Sequence, residues 1–228
     1  ADISGINNGA SLATIGIEQL IYSTNSGVIT VAPGQLGKQA LNAANGIGGT
    51  AEFKLNAAGA LDVSGLVVTQ LAAGAYLSAT GDASLAGVAV TGFELIGSDG
   101  IDTITGSKLA DVITGGASAD TLVGGLGDDT YAYLAKADLF TANAIVDTIT
   151  EAAGAGTDTL LLSSVAAQFD IANTDVFGTR AANIDSITAV ASANPYVIAL
   201  NAAADTDVTT LRTINLSGDT NAAGVNVI

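Results

Sequence analysis

GSDGIDTIT (97–105), GSKLADVIT (106–114), GGASADTLV (115–123) and GGLGDDTYA (124–132) follow one another without a gap and share one register. Position one is glycine in all four, position six is Asp102, Asp111, Asp120 and Asp129, and position eight is Ile104, Ile113, Leu122 and Tyr131. Self-similarity at a fixed period marks a stacked architecture. Turn propensity explains Gly and Asp in a loop, but it does not explain a phase held over four units. The register runs on more weakly through YLAKADLFT (133–141) and ANAIVDTIT (142–150). Those units keep Asp138 and Asp147 at position six, with Phe140 and Ile149 at position eight, and lose the glycines. Lys136, Ala137 and Leu139 could equally place Asp138 on a short helix.

Glycines let the first six residues of each unit reverse direction where a Cβ would clash, and the last three then extend as a short strand. The position-eight side chain points inward and its neighbours outward, so stacked units build a narrow apolar core. Two units complete one coil, which sets residues 18 apart above one another at about 4.8 Å. The spacing predicts one column of Asp102, Asp120 and Asp138 and an opposite column of Asp111, Asp129 and Asp147. Carboxylates at that separation repel by about 1 kcal/mol in water and several-fold more at lower effective dielectric. A hard divalent cation removes the repulsion. Ca²⁺ accepts about six to eight oxygens, carboxylate and backbone carbonyl alike, whereas Mg²⁺ demands a smaller, stricter octahedron.

These residues resemble the hemolysin-type, or RTX, calcium-binding repeat, G-G-x-G-x-D-x-U-x with U a large apolar residue. Units 115–123 and 124–132 match it well. Ser98 and Ser107 replace the second glycine of units one and two, while Leu109 and Ser118 stand where the third belongs. The resemblance covers roughly residues 92–162, since EAAGAGTDTL (151–160) looks like the segment that trails such arrays. It implies a parallel β-roll or β-helix, all-β, whose calcium turns draw on Gly97, Gly100, Gly106, Gly115, Gly116, Gly124, Gly125 and Gly127. The acids of those turns would be Asp102, Asp111, Asp120, Asp129, Asp138 and Asp147. Asp99 and Asp128 are expected to be solvated.

The rest of the composition narrows the chemistry. Across 228 residues, 22 acidic side chains against 6 basic ones give a formal charge of −16, which argues against nucleic acid as a partner. With no Cys and no His, disulfides, thiol catalysis, Ser-His-Asp triads and His- or Cys-built metal sites are excluded. Catalysis would have to come from carboxylates and backbone, but no Trp is present to stack on a sugar and the clustered acids fall in the calcium register instead. The chain is therefore expected not to be an enzyme. With 28 Gly, 2 Pro, 5 Phe and no Met, the core must be built from small and β-branched side chains on many short strands.

Residues 1–96 are expected to form an Ala/Gly/Thr-rich parallel β-helix-like segment, 97–150 the calcium-binding β-roll and 151–228 a continuing or capping β-stack. Alternation in Ala51, Phe53 and Leu55 against Glu52, Lys54 and Asn56 supports strands in the first segment, and Thr213–Ser217 alternate in the last. Gly16-Ile17-Glu18-Gln19-Leu20, Gly92-Phe93-Glu94-Leu95-Ile96 and Ile184-Asp185-Ser186-Ile187 echo one another, each an expected inward-facing strand entering a new coil. Residues 34–44 could hold a helical turn or two. At about 19 residues per rung the rod would have at most about 12 rungs over about 60 Å, and breaks at 132–143 and 191–195 could divide it.

No basic n-region followed by an apolar stretch opens the chain, and three charge-free windows (19–37, 63–81 and 186–204) are too interrupted by polar or turn-forming residues for membrane spans. A start without Met and a strand-like end suggest a fragment or mature piece of something larger. The favoured expectation is a calcium-dependent structural domain of a secreted bacterial cell-surface protein, of the kind surface-layer proteins resemble. It would be a homo-oligomer or self-assembling lattice at the cell surface, with surface polysaccharide a possible partner. The resemblance implies type I secretion. Cytosolic calcium would be too low to fill the turns, and outside the cell calcium at about 100 times its dissociation constant would add about 2.7 kcal/mol per site. The alternatives are the secretion and folding module of a larger secreted enzyme, toxin or adhesin, and, more weakly, a calcium-using polysaccharide lyase.

Overall fold

The computed structural model describes residues 19–22, 27–36, 42–45, 51–65, 67–70, 92–142, 144–151, 156–163, 169–171, 180–190, 196–198, 213–215 and 226–227. They form short strands joined by turns, with Lys136–Leu139 as the one α-helical turn among them. Two parallel sheets carry the repeats. The five-stranded one runs in the order Ala60–Asp62, Thr103–Thr105, Thr121–Val123, Thr148–Thr150 and Ala181–Ala182. The eight-stranded one runs Gly27–Val31, Ala51–Leu55, Glu94–Ile96, Val112–Thr114, Thr130–Tyr133, Thr159–Leu162, Ser186–Ala189 and Thr213–Asn215. Apart from a hairpin at 140–145 and the strand Phe169–Ile171, which pairs in a separate three-stranded sheet, the chain from residue 103 to 189 alternates between the two, which is the path of a flattened β-roll.

The nonapeptide register produces this path directly. Ile104 pairs with Leu122 and Ile113 with Tyr131, so two units make one coil. These position-eight side chains are buried and, with Leu61, Phe53, Leu95, Ile149, Leu160 and Ile187, form one continuous core between the sheets. Each fully buried Ile or Leu contributes about 1.5–3 kcal/mol. Thr103 and Thr121 face solvent as alternation requires. Val112 does not. It is buried with Ala132 and Leu161 in a second apolar cluster on the outer face of the eight-stranded sheet, so the outward positions are not uniformly wet.

The N-terminal alternation holds for Phe53 and Leu55 inside and Lys54 and Asn56 outside, while Glu52 is buried. Phe53 meets Phe93 at a ring distance of 5.7 Å. The Gly92 and Ile184 echoes both enter eight-stranded-sheet strands with Leu95 and Ile187 inward; residues 16–18 lie outside the described residues, and Gln19–Tyr22 belongs to a separate three-stranded sheet. The helical expectation at 34–44 does not hold at 34–36 or 42–45, and residues 37–41 lie outside the described residues. Pro33 and Gly34 make a turn with Gly34 at φ +70, its amide bonds the Ala60 carbonyl at 2.7 Å, Leu36 enters the core, and Asn42–Asn45 is a strand.

The array does not continue as nonapeptides after residue 132. Lys136–Leu139 closes a helical turn, and Phe140–Thr141 pairs antiparallel with Ala144–Ile145. Leu139, Phe140 and Ile145 return to the core, so this excursion is an insertion within one coil and does not divide the roll. The next strand, Thr148–Thr150, pairs in register on Thr121–Val123. Later coils are longer than 18 residues, and among the described residues the longest sheet stacks eight strands. The second expected break, 191–195, lies outside the described residues.

Candidate metal centre

Stacking of the strands stacks the turns. Gly116 and Gly125 have φ of +102 and +114, and a Cβ on either would overlap the carbonyl oxygen of Ser98 or Ser107, one coil earlier. Gly97 and Gly106 sit as closely against the carbonyl oxygens of Gly115 and Gly124, with Asp102 Oδ2 and Asp111 Oδ2 each 2.8 Å from where the Cβ would be. Gly115 lies against Asp120 Oδ2 and Gly124 against Asp129 Oδ2. Gly100 packs on Ala58 of the preceding coil, and Gly127, φ +113, on the backbone of Leu109 and Ala110. Ser118 adopts φ +83 without being glycine and donates its hydroxyl to the Asp99 carbonyl.

The aspartates enter these turns in two files. Asp102 Oδ1 accepts the Gly59 amide at 2.6 Å, Asp120 Oδ1 the Asp102 amide at 2.9 Å, and Asp147 Oδ1 the Asp120 amide at 2.9 Å. On the other side Asp111 Oδ1 accepts the Phe93 amide at 2.6 Å, Asp129 Oδ1 the Asp111 amide at 2.8 Å, and Asp158 Oδ1 the Asp129 amide at 3.0 Å. Asp185 Oδ2 continues that file by accepting the Asp158 amide at 3.1 Å. Each carboxylate thus caps the strand one coil below through a charge-assisted bond, so the backbone already closes part of what repulsion would open.

Two expected placements are corrected. Asp138 is on the helical turn, outside both files, half-buried and near enough to Asp147 to raise its pKa. Asp147 belongs with Asp102 and Asp120, not with Asp111 and Asp129. The cause is the insertion, which lengthens the step after Asp120 to 27 residues. Asp99 and Asp128 are exposed as expected, although Asp128 Oδ1 accepts the Thr157 amide at 2.8 Å.

What happens to the second oxygen divides the acids. Ser98 N and Oγ bind Asp102 Oδ2 at 2.6 and 3.0 Å, Ser107 N binds Asp111 Oδ2 at 2.6 Å, and Tyr133 OH binds Asp147 Oδ2 at 2.9 Å. Asp120 Oδ2 and Asp129 Oδ2, in the two units with glycine at position two, are buried and have no partner; Glu151 Oε2 is in the same state. Burial first, then neighbouring carboxylates, pushes the pKa of Asp120 and Asp147 up to about 6 and that of Asp129 to about 8, and burial raises Asp111 to about 6. Burial likewise raises Glu151 to about 7, with Asp158 adding to it.

These turns fit a hard cation. Orphaned buried carboxylate oxygens stand beside close-packed glycine carbonyls, and the chain has no His nitrogen or Cys sulfur to favour a softer metal. Asp120 in one file and Asp129 in the other would each hold an ion with the turn carbonyls, and the ions would supply the positive charge that the buried acids lack.

Glu151, Asp158 and Asp185 were not legible from nine-residue spacing. A subtler signal survives around the two aspartates: an Asp followed by Thr or Ser and a large apolar residue, as in Asp158-Thr159-Leu160 and Asp185-Ser186-Ile187, repeats the array's Asp120-Thr121-Leu122 after the glycines are lost.

A parallel roll with stacked glycine turns and two files of buried aspartates is a calcium-binding repeat domain. The family profile of the RTX calcium-binding nonapeptide repeat matches residues 96–131 in four copies. No curated protein and no solved structure matches the chain. Repeats of this kind are typical of secreted proteins, and among the described residues no helix is long and apolar enough to cross a membrane.

Proposed function

We propose that the chain is a calcium-dependent structural domain of a secreted bacterial cell-surface protein resembling surface-layer proteins, and that it performs no catalysis of its own. The observation that carries this reading is the pair of buried carboxylate files with orphaned oxygens at Asp120 and Asp129. Such a core is costly without cations and stable with them, which makes folding conditional on calcium. A chain of net charge −16 held unfolded at low cytosolic calcium suits type I export, and calcium outside the cell then closes the roll. Lateral self-assembly, with surface polysaccharide as an anchoring partner, follows from the same reading, as calcium can also bridge acidic surfaces between copies.

Electron microscopy of the purified protein with and without calcium tests it. Sheets or filaments that form only with the ion are expected; a folded, dispersed monomer at every calcium concentration contradicts the lattice. That second result would favour the reading as a secretion and folding module of a larger secreted enzyme, toxin or adhesin, for which the matched repeats alone suffice.

A further inference from the structure

We propose that Glu151 and Asp158 complete, with Asp129, a three-carboxylate cation site at the seam between the last nonapeptide turn and the turn that follows it, and that this site takes a hard divalent ion first. The proposal rests on the calcium reading above and concerns residues largely outside the matched repeats, since Glu151 and Asp158 both lie beyond residue 131.

One ligand oxygen from each acid lies within 4.8 Å of the others, and all three residues are buried. The register explains the meeting. Thr150 pairs with Val123 and Thr159 with Thr130, so Glu151 follows its strand where Gly124 follows the strand below, and Asp158 stands over Asp129. A glutamate has taken a glycine position, and its carboxylate returns over Gly124, whose amide donates to Oε1 at 3.1 Å. Tyr131 OH donates to the same oxygen. A Cβ on Gly124 would overlap both Glu151 Oε1 and Asp129 Oδ2, so the two carboxylates converge on one spot.

A cluster of acids alone would not make a site. Here Asp129 Oδ2 and Glu151 Oε2 are both buried without a partner, in residues that are 0% and 5% exposed. Three carboxylates and no nitrogen or sulfur donor suit Ca²⁺, and greater ligand charge raises affinity over a turn built on paired aspartates. The longer turn is already docked, with Gly156 against the Gly127 carbonyl and the Thr157 amide on Asp128. An ion here ties the array to the coils beyond it.

The site has its own reporter. The chain has no Trp, and Tyr131 touches Glu151, so a terbium ion bound here is excited through Tyr131, whereas Tyr133 reports on Asp147. Terbium titration of the calcium-free full chain is expected to show a first phase of tyrosine-sensitised emission that calcium competes away. Tyr131→Phe should abolish that emission with calcium stoichiometry unchanged. Glu151→Gln and Asp158→Asn, which keep hydrogen-bond acceptors in place, should each move the phase to at least about tenfold higher terbium while later phases stay put. Both carboxamide variants titrating like the parent, or first-phase emission persisting in Tyr131→Phe, would overturn the proposal. If either carboxamide variant fails to fold in calcium, the Tyr131→Phe emission decides. A parent chain with no calcium-competed emission at all would instead bring down the calcium reading on which the site depends.

Discussion

At Gly116 two constraints coincide: φ is +102, and a Cβ would overlap the Ser98 carbonyl. Gly34 has only the first, with φ +70 and open space around it. Gly116→Ala should therefore destabilise the calcium-loaded protein by about 3 kcal/mol and Gly34→Ala by only about 1 kcal/mol, as measured by chemical denaturation. Equal costs would mean that the turns are not stacked as described. The aspartates divide in the same way. Asp120→Asn removes a charge whose Oδ2 is buried and unpartnered, and should weaken calcium binding at least about tenfold. Asp99→Asn, on an exposed side chain, should leave a calorimetric titration unchanged. At this scale the sequence is most readable where chemistry leaves little choice: glycine where a Cβ cannot fit, aspartate where a strand end needs a cap. Glu151 escapes that reading because glutamate at a glycine position breaks the pattern by which turns are recognised.

Among the elements, the files of acids act as units, and their response to pH has a definite sign. Without metal, burial raises the folded-state pKa values to about 6 at Asp111, Asp120 and Asp147, about 7 at Glu151 and about 8 at Asp129. The unfolded chain titrates near the ordinary values of 3.8 for aspartate and 4.5 for glutamate, so the folded chain holds protons more tightly. That contribution to stability is complete below the unfolded pKa and is lost as pH rises through about 6 to 8. Thermal melts of protein stripped of calcium should accordingly show Tm falling as pH rises from 5 toward neutrality, where the metal-free fold is lost, and saturating calcium should remove or reverse the trend. A metal-free Tm that rises over that interval would contradict the burial of ionised acids. The strands of the array follow from the position-eight residues and Thr-rich flanks. The insertion at 134–146 was legible only in part: Lys136, Ala137 and Leu139 left open the short helix that forms there, while Asp138 and Phe140 fall in phase by coincidence, and Phe140 reaches the core from a hairpin and not from a coil strand.

Over the whole molecule, one parallel sheet of eight strands draws on residues 27 to 215, from all three segments that composition distinguishes. The stacking principle was legible from four units; the number of coils was not, because insertions such as the helix and hairpin change residues per coil without changing the rise between strands. The central claim is that calcium closes the two files of buried acids and thereby holds the roll together. Far-UV circular dichroism at neutral pH, before and after EGTA and again after calcium is restored, tests it most directly. Loss of the β signal on chelation and its return with calcium is the predicted result; a spectrum indifferent to EGTA would contradict it.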